Sequence, residues 1–271
     1  MQFPFAKKSL GQNFLTSPGA LVDIIASAEV KEGDHVLEIG PGRGVLTKEL
    51  LSKGAQVTAI EKDRELVPLL GEQYAEAVKS GQLEIVEADI LEFDVATYAK
   101  THPSYKLIAN IPYYITGQIF RMFLEGEMHN GSHCASQPLS ITMLVQREVA
   151  KRVVADDGKE SILSMSVKAY GEPRYVSTVK RGSFYPIPNV DSAILFIGNI
   201  SKSFFTLHDI SEKTFFEILK AAFAHKRKII SKNLSEKGFV IPHTINEKSR
   251  AEDLVLEDFA TIAKANTLSL H

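Results

Sequence analysis

The strongest constraint in this chain is an alternation. From Asp34 to Phe196, short β-rich apolar runs take turns with segments whose apolar residues recur at helical spacing. The runs are HVLEIG (His35–Gly40), QVTAIE (Gln56–Glu61), LEIVEAD (Leu83–Asp89), YKLIANI (Tyr105–Ile111) and SITMLVQ (Ser140–Gln146). VLTKELLSKG follows the first run and DRELVPLLGEQYAEAVKS the second, and both read as helices. Parallel strands need a long crossover, and a helix is the usual one. The spacing therefore predicts a doubly wound, mostly parallel sheet with helices on both faces. A late run, DSAILFIGN (Asp191–Asn199), is placed at the sheet edge. After about Ile200 the pattern changes. SEKTFFEILKAAFAHKRKIISKNL and LEDFATIAKAN carry apolar residues at helical spacing with no good strand between them. We divide the chain into an α/β domain over residues 1–200 and a small helical domain over 201–271. The stretch Glu125–Leu139 reads as a polar loop.

Composition narrows the functional classes. At 271 residues, 44% hydrophobic and 24% charged, the chain can bury a substantial core as an ordinary globular protein. No apolar run approaches a membrane span, and the opening MQFPFAKKSLGQNFL lacks the apolar core of a secretory signal. The one cysteine, Cys134, rules out an intramolecular disulfide and fits a reducing cytoplasm. Without evident His partners it reads as inert packing. The net charge of −2 argues against a generic polyanion binder, yet basic residues cluster at Lys7-Lys8, Lys151-Arg152, Lys180-Arg181 and His225–Lys228. Each cluster alone is a solvated surface; gathered on one face they would track phosphates.

The first run ends in EIGPGRG, Glu38 to Gly44. Glycines there let the backbone take positive φ angles and approach a ligand, and the following helix offers unpaired N–H groups. The spacing is G-x-G-x-G rather than the dinucleotide G-x-G-x-x-G, and alone it fits an ordinary strand-to-helix turn as well. Two acids add to it. Glu61 ends the second run, at the distance where such folds hold ribose hydroxyls, and Asp89 ends the third, placed to accept from an adenine amino group. Together they point to an adenosine-containing ligand in the crevice. NAD and S-adenosylmethionine both carry adenosine. No hydride-transfer partner set is evident, and the GPGRG turn with an acid closing the next strand resembles the S-adenosylmethionine-dependent methyltransferase pattern.

On the same rim, NIPY (Asn110–Tyr113) closes the fourth run. A [D/N]-x-P-[Y/F] motif at this place resembles that of methyltransferases acting on amino groups conjugated to a ring or carbonyl. The exocyclic nitrogen of adenine is a poor nucleophile because its lone pair is delocalised. An Asn oxygen and a main-chain carbonyl, both accepting from that nitrogen, would draw it toward tetrahedral geometry. Proline stiffens the turn, and an adjacent aromatic offers its face to an extruded base. The plainer reading is a proline turn with a buried tyrosine.

At this point the chain resembles the ribosomal RNA adenine N6,N6-dimethyltransferases. The resemblance rests on KKSLGQNFL, VLEIGPGRGVLT, AIEKD, EADIL, NIPYYIT, LVQREVAKRV, GSFYPIPNVDSAI and AFAHKRKIISKNL, in that order along most of the chain. It implies a Rossmann-like methyltransferase fold, S-adenosylmethionine as cofactor, and no metal. Gln12, Asn13 and Leu15 would fold over the methyl donor, although a frayed terminus is the bland alternative. Gly40 and Gly42 would line its methionine end, Glu61 would hold the ribose, and Asp89 with Ile90 the adenine. Asn110, also bordering the donor, and the Pro112 carbonyl would bind the target amino group. Tyr113 would stack on the base and Phe184 would cover its other face; without the family, Phe184 reads as core. Tyr114 is given no catalytic role and reads as structural. The family often has His at Asn13 and Leu at Ile111. The tail length, FYPIPNVDSA and RAEDLVLEDFA favour the branch that dimethylates two adjacent adenines near the 3′ end of small-subunit (16S) rRNA. That implies an immature small subunit as partner, with the chain acting as a monomer. The alternatives are a large-subunit (23S) methylase conferring macrolide resistance and a non-catalytic RNA-binding factor of the same fold.

Overall fold

The computed structural model describes residues 5–125 and 137–267. Cys134 and most of the polar loop read at Glu125–Leu139 lie outside the described residues. The strands are β1 (Phe14–Leu15), β2 (His35–Ile39), β3 (Gln56–Glu61), β4 (Leu83–Glu87), β5 (Tyr105–Asn110), β6 (Ser140–Gln146), β7 (Glu172–Val179), β8 (Phe184–Tyr185) and β9 (Ser192–Gly198). The α-helices are α1 (Pro18–Ala28), α2 (Val45–Ser52), α3 (Leu66–Gln73), α4 (Ala75–Lys79), α5 (Val95–Thr101), α6 (Thr116–Phe120), α7 (Arg147–Val154), α8 (Ile162–Lys168), α9 (Ser203–His208), α10 (Glu212–Ala222), α11 (Ile230–Ser235) and α12 (Leu256–Thr267). No helix among the described residues is long and apolar enough to cross a membrane.

The chain divides into two compact units, Met1–Ala150 with Arg174–Ile200, and Lys151–Pro173 with Ser201–His271. In the first unit a sheet runs in the order β4-β3-β2-β5-β6-β9-β7. The pairs β4/β3, β3/β2, β2/β5 and β5/β6 are parallel, and β6/β9 is antiparallel. Successive residues of β2, β6 and β9 are buried, so both faces of those strands are covered. Strand order reverses between β2 and β5, which opens a crevice beyond their carboxyl ends. The register makes that rim level: Ile39 pairs with both Ile60 and Ala109, and Glu61 with Glu87.

Three expectations from the sequence are amended here. Asp191–Asn199 was placed at the edge, but β9 lies inside the sheet and β7 takes the edge. Strand β7 escapes a pattern reading because EPRYVSTV has proline at its second position and is mostly half-exposed or exposed, without clean alternation. The helix over DRELVPLLGEQYAEAVKS is two helices meeting at Tyr74, whose hydroxyl donates to the Gly44 carbonyl at 2.7 Å. Finally, residues 151–173 group with the helical unit rather than with 1–200. Side chains account for this: the Tyr170 ring lies 5.2 Å from Phe205 and 6.0 Å from Phe216, and its hydroxyl donates to Glu212 at 2.6 Å.

The helical unit is built around α10, which packs on α8, α11 and α12. Phe215, Ile218, Leu219, Ile230, Leu234 and Phe259 are fully buried in it. The Asn233 amide donates to the carbonyls of Ala222 and His225, fixing the turn between α10 and α11 that interrupts the long helical pattern of the sequence.

Candidate active site

Beyond the rim lies an open cleft of about 920 Å³, a volume that includes space continuous with solvent. Its floor is the turn after β2. Gly40 and Gly42 take φ of +70° and +59°, in the left-handed region where a side chain is strained. A Cβ on Gly40 would stand 2.8 Å from the Asn110 carbonyl oxygen, and one on Gly42 would stand 3.0 Å from the Phe14 ring. The turn is therefore as narrow as its neighbours permit, and only glycine fits at Gly40 without moving β5.

Glu61, at the end of β3, is 6% exposed. Its Oε2 accepts from Gly42 N–H at 3.1 Å and its Oε1 from Asp63 N–H at 2.8 Å. Burial pushes its carboxyl upward, and these N–H donors only partly counter that. Glu38, on the neighbouring strand β2, is fully buried; burial raises it to about 7, with Thr47 donating to it at 2.7 Å. Asp89 sits two residues past the end of β4 rather than on it. Burial raises its carboxyl, but the Lys62 ammonium at 2.5 Å and the Leu91 N–H outweigh that and hold it below the usual carboxylate range. Ile39, Ile60 and Ile90 add apolar wall.

Asn110 closes β5 and lines the cleft with Pro112 and Tyr113. Among the described residues nothing takes the Asn110 side-chain amide. The Pro112 carbonyl accepts from Ile115 N–H at 3.2 Å, which leaves one lone pair for another donor. The hydroxyls of Tyr113 and Ser192 share a hydrogen bond at 2.5 Å, fixing the tyrosine ring from its far end. Burial raises the Tyr113 phenol.

The cleft brings together Gln12, Asn13, Gly40, Gly42, Glu61, Asp89, Ile90, Asn110, Pro112 and Tyr113. It does not bring Leu15 or Phe184. Both are buried, 4% and 3% exposed, in the apolar core with Ile24 and Ile194, where β1 pairs with β8. Tyr114, expected to be structural, is 70% exposed and lines the cleft. Lys62, Asp63 and Ser192 were missed; AIEKD and NVDSAI contain them, but only folding shows their partners. Each basic cluster gives up a member to an acid: Lys7 to Asp63, Lys151 to Asp156, Lys180 to Asp191, and His225 and Lys228 to Glu236.

The donor set suits an adenosine bearing a charged tail: a glycine cradle, carboxylates beyond adjacent strand ends, and apolar wall between them. Sheet order, glycine turn and rim acids define a Rossmann-like S-adenosylmethionine-dependent methyltransferase. More particularly, the chain belongs to the ribosomal RNA adenine dimethylase family, whose model matches residues 5–267. Its relatives include the ribosomal RNA small subunit methyltransferase A of Dehalococcoides mccartyi strain 195, 40% identical over 231 residues, covering 85% of this chain and 75% of that one. The protein of the same name from Fusobacterium nucleatum is 35% identical over 269 residues, covering 95% and 96%. Among solved structures, a dimethyladenosine transferase from Plasmodium falciparum matches with a TM-score of 0.74 at 25% identity, covering 94% and 98%. The 23S rRNA methyltransferase ErmE matches with 0.72 at 25% identity, covering 93% and 98%.

Proposed function

We propose that this protein dimethylates the N6 nitrogens of two adjacent adenosines near the 3′ end of small-subunit rRNA, as a monomer in the cytoplasm, acting on an incompletely assembled subunit. One observation carries the chemistry: the Asn110 amide, without a side-chain partner among the described residues, stands on the rim where Gly40 comes close to the same residue's carbonyl. The small-subunit assignment is supported by relatives of that name along nearly the whole chain.

S-adenosylmethionine, when bound, supplies a methyl group on a positively charged sulfur. Gly40 and Gly42 would make room for its methionine end, Glu61 would accept from the ribose hydroxyls, and Asp89 with Ile90 would hold the adenine. Asn13, whose amide donates to the Gly11 carbonyl at 3.0 Å, shapes the segment that covers it. Across the rim, the Asn110 Oδ1 and Pro112 carbonyl accept from the target amino group. Two acceptors on one nitrogen favour pyramidal geometry and localise its lone pair toward the incoming carbon. Tyr113, anchored by Ser192, presents a fixed face to the extruded base. Asn orients the amine without adding charge, and the amine proton is acidic enough to pass to water once the nitrogen carries the new group. A monomethylated amine keeps one N–H, which a single acceptor can hold for the second transfer. The helical unit with its exposed basic residues contacts the RNA.

The deciding experiment incubates the protein with labelled S-adenosylmethionine and small subunits lacking the modification, followed by nucleoside analysis. Label in N6,N6-dimethyladenosine is expected; unlabelled small-subunit rRNA would sink the assignment. The likeness to ErmE favours a second reading, methylation of large-subunit rRNA. Expression in a macrolide-sensitive host separates the two, since only the second confers resistance.

A further inference from the structure

Residues 7–15 form a strap bordering the cleft, and it is anchored at three places. At the donor end, the Lys7 ammonium lies 2.7 Å from Asp63 Oδ1 and 2.9 Å from Glu65 Oε1. Gln12 Nε2 donates to Asp63 Oδ2 at 2.8 Å, and Gln12 Oε1 accepts from Lys7 N–H at 2.7 Å. In the middle, the Phe14 ring lies over Gly42, with the Arg43 guanidinium 4.6 Å from its centroid. At the far end, Phe14 and Leu15 pair with Tyr185 and Phe184.

The donor-end anchor differs from the others in kind. The Asp63 side chain is 2% exposed, and a carboxylate that buried is tolerated only when fully paired. Desolvation pushes its carboxyl up, but Lys7, Gln12 and the Glu65 N–H together hold it below the usual range. Two of those three donors come from the strap. The backbone of the same residue faces the other way: Asp63 N–H holds Glu61 Oε1, the carboxylate assigned to the ribose. Gln12, read from the sequence as a donor ligand, has both ends of its amide engaged in this network. It lines the cleft and is at the same time part of the fastening.

We propose that Asp63 is a positioning residue: it fastens the strap through Lys7 and Gln12, and release of those bonds sets the rate at which cofactor leaves the cleft. The proposal rests on the methyl-donor reading of that cleft. Phe14 and the β1–β8 pair keep the far end in place, so opening swings the segment before Phe14 and leaves the apolar core intact.

The test uses the full-length protein with S-adenosylhomocysteine as probe, following dissociation by stopped-flow and equilibrium binding by calorimetry. Asp63→Asn and Gln12→Ala are expected to raise the dissociation rate about 10- to 100-fold, the range for losing one or two hydrogen bonds to a charged group, with the association rate unchanged. Tryptic cleavage after Lys7 and Lys8 gives a second readout: the probe protects wild type and fails to protect the variants. Lys7→Met, at a residue whose side chain is 31% exposed, keeps the Lys8 cleavage site and must raise both the dissociation rate and cleavage after Lys8 in the presence of the probe if Asp63→Asn fails to fold. A wild-type protein that binds the probe, beside folded variants that release it equally slowly, overturns the fastening alone. A wild-type protein that does not bind the probe overturns the methyl-donor reading together with it.

Discussion

Gly40 and Asn110 close adjacent strands of the sheet, and they touch: a Cβ on Gly40 would stand 2.8 Å from the Asn110 carbonyl oxygen. The donor turn and the acceptor motif are thus one rigid body, each limiting where the other can stand. On the proposed reading, this contact would tie the distance between cofactor and target nitrogen to the register of β2 and β5.

Gly40→Ala tests that contact directly. The new methyl group would meet backbone rather than a movable side chain, at a φ of +70° that alanine tolerates poorly. The expected loss of stability is about 1–3 kcal/mol. Thermal melts should show it as a lower midpoint, and the upward shift expected of wild type with S-adenosylhomocysteine should vanish. An unshifted melting curve that still responds to the ligand would show that the contact is not limiting.

Asn110→Ala removes an acceptor that no described residue uses. Stability should change little, because the side chain is half-exposed and loses no partner among the described residues. The turnover number for methyl transfer should fall about 100- to 1,000-fold, the scale for removing one preorganised polar group aimed at the reacting centre. The KM for S-adenosylmethionine should move far less. Activity that survives undiminished would reassign the catalytic role, even in a protein that binds RNA normally.

The proposed reading gives Tyr113 two separable functions, and two substitutions divide them. Tyr113→Phe keeps the ring but strands the fully buried Ser192 hydroxyl, lowering stability by about 1–2 kcal/mol with a modest effect on turnover. Tyr113→Ala also removes the stacking face, worth about 1–3 kcal/mol per base. Steady-state kinetics should therefore show a much larger loss of kcat/KM for alanine than for phenylalanine. Equal losses would mean that the hydroxyl, not the ring, is what the base meets.

What the chain reveals before folding follows from how local each signal is. The sheet was legible because β2, β3, β5 and β6 are apolar runs separated by helical spacing, and because Gly40, Glu61 and Asn110 each stand at the end of such a run. Strand β7 was not legible, since its half-exposed residues and Pro173 carry no period. Asp63 was invisible for a different reason. It sits two residues from Glu61 in AIEKD, and nothing in that string says that Lys7 and Gln12 return to it. Phe184 shows the converse: a family motif places it over the base, while its burial beside Leu15 and Ile194 places it in the core. Local chemistry names candidates, and partners distant in sequence decide their use.

Glu38 makes the last prediction, and it concerns pH. Its side chain is fully buried, Oε2 accepts from Thr47, and Oε1 has no partner among the described residues. Burial raises its carboxyl from 4.5 to about 7, so the folded state keeps a proton that the unfolded chain releases near 4.5. The protonated form thus stabilises the fold fully below pH 4.5, and that contribution is lost as pH rises through about 7. A shift of this size corresponds to at most about 3 kcal/mol. Glu38→Gln is neutral at every pH and keeps the shape of the protonated acid. Urea midpoints measured from pH 4.5 to above 7 should show wild type losing stability relative to the glutamine variant across that window, with the gap constant above it. Parallel curves would mean that Glu38 is ionised throughout, balanced by a charge brought to its unpartnered Oε1.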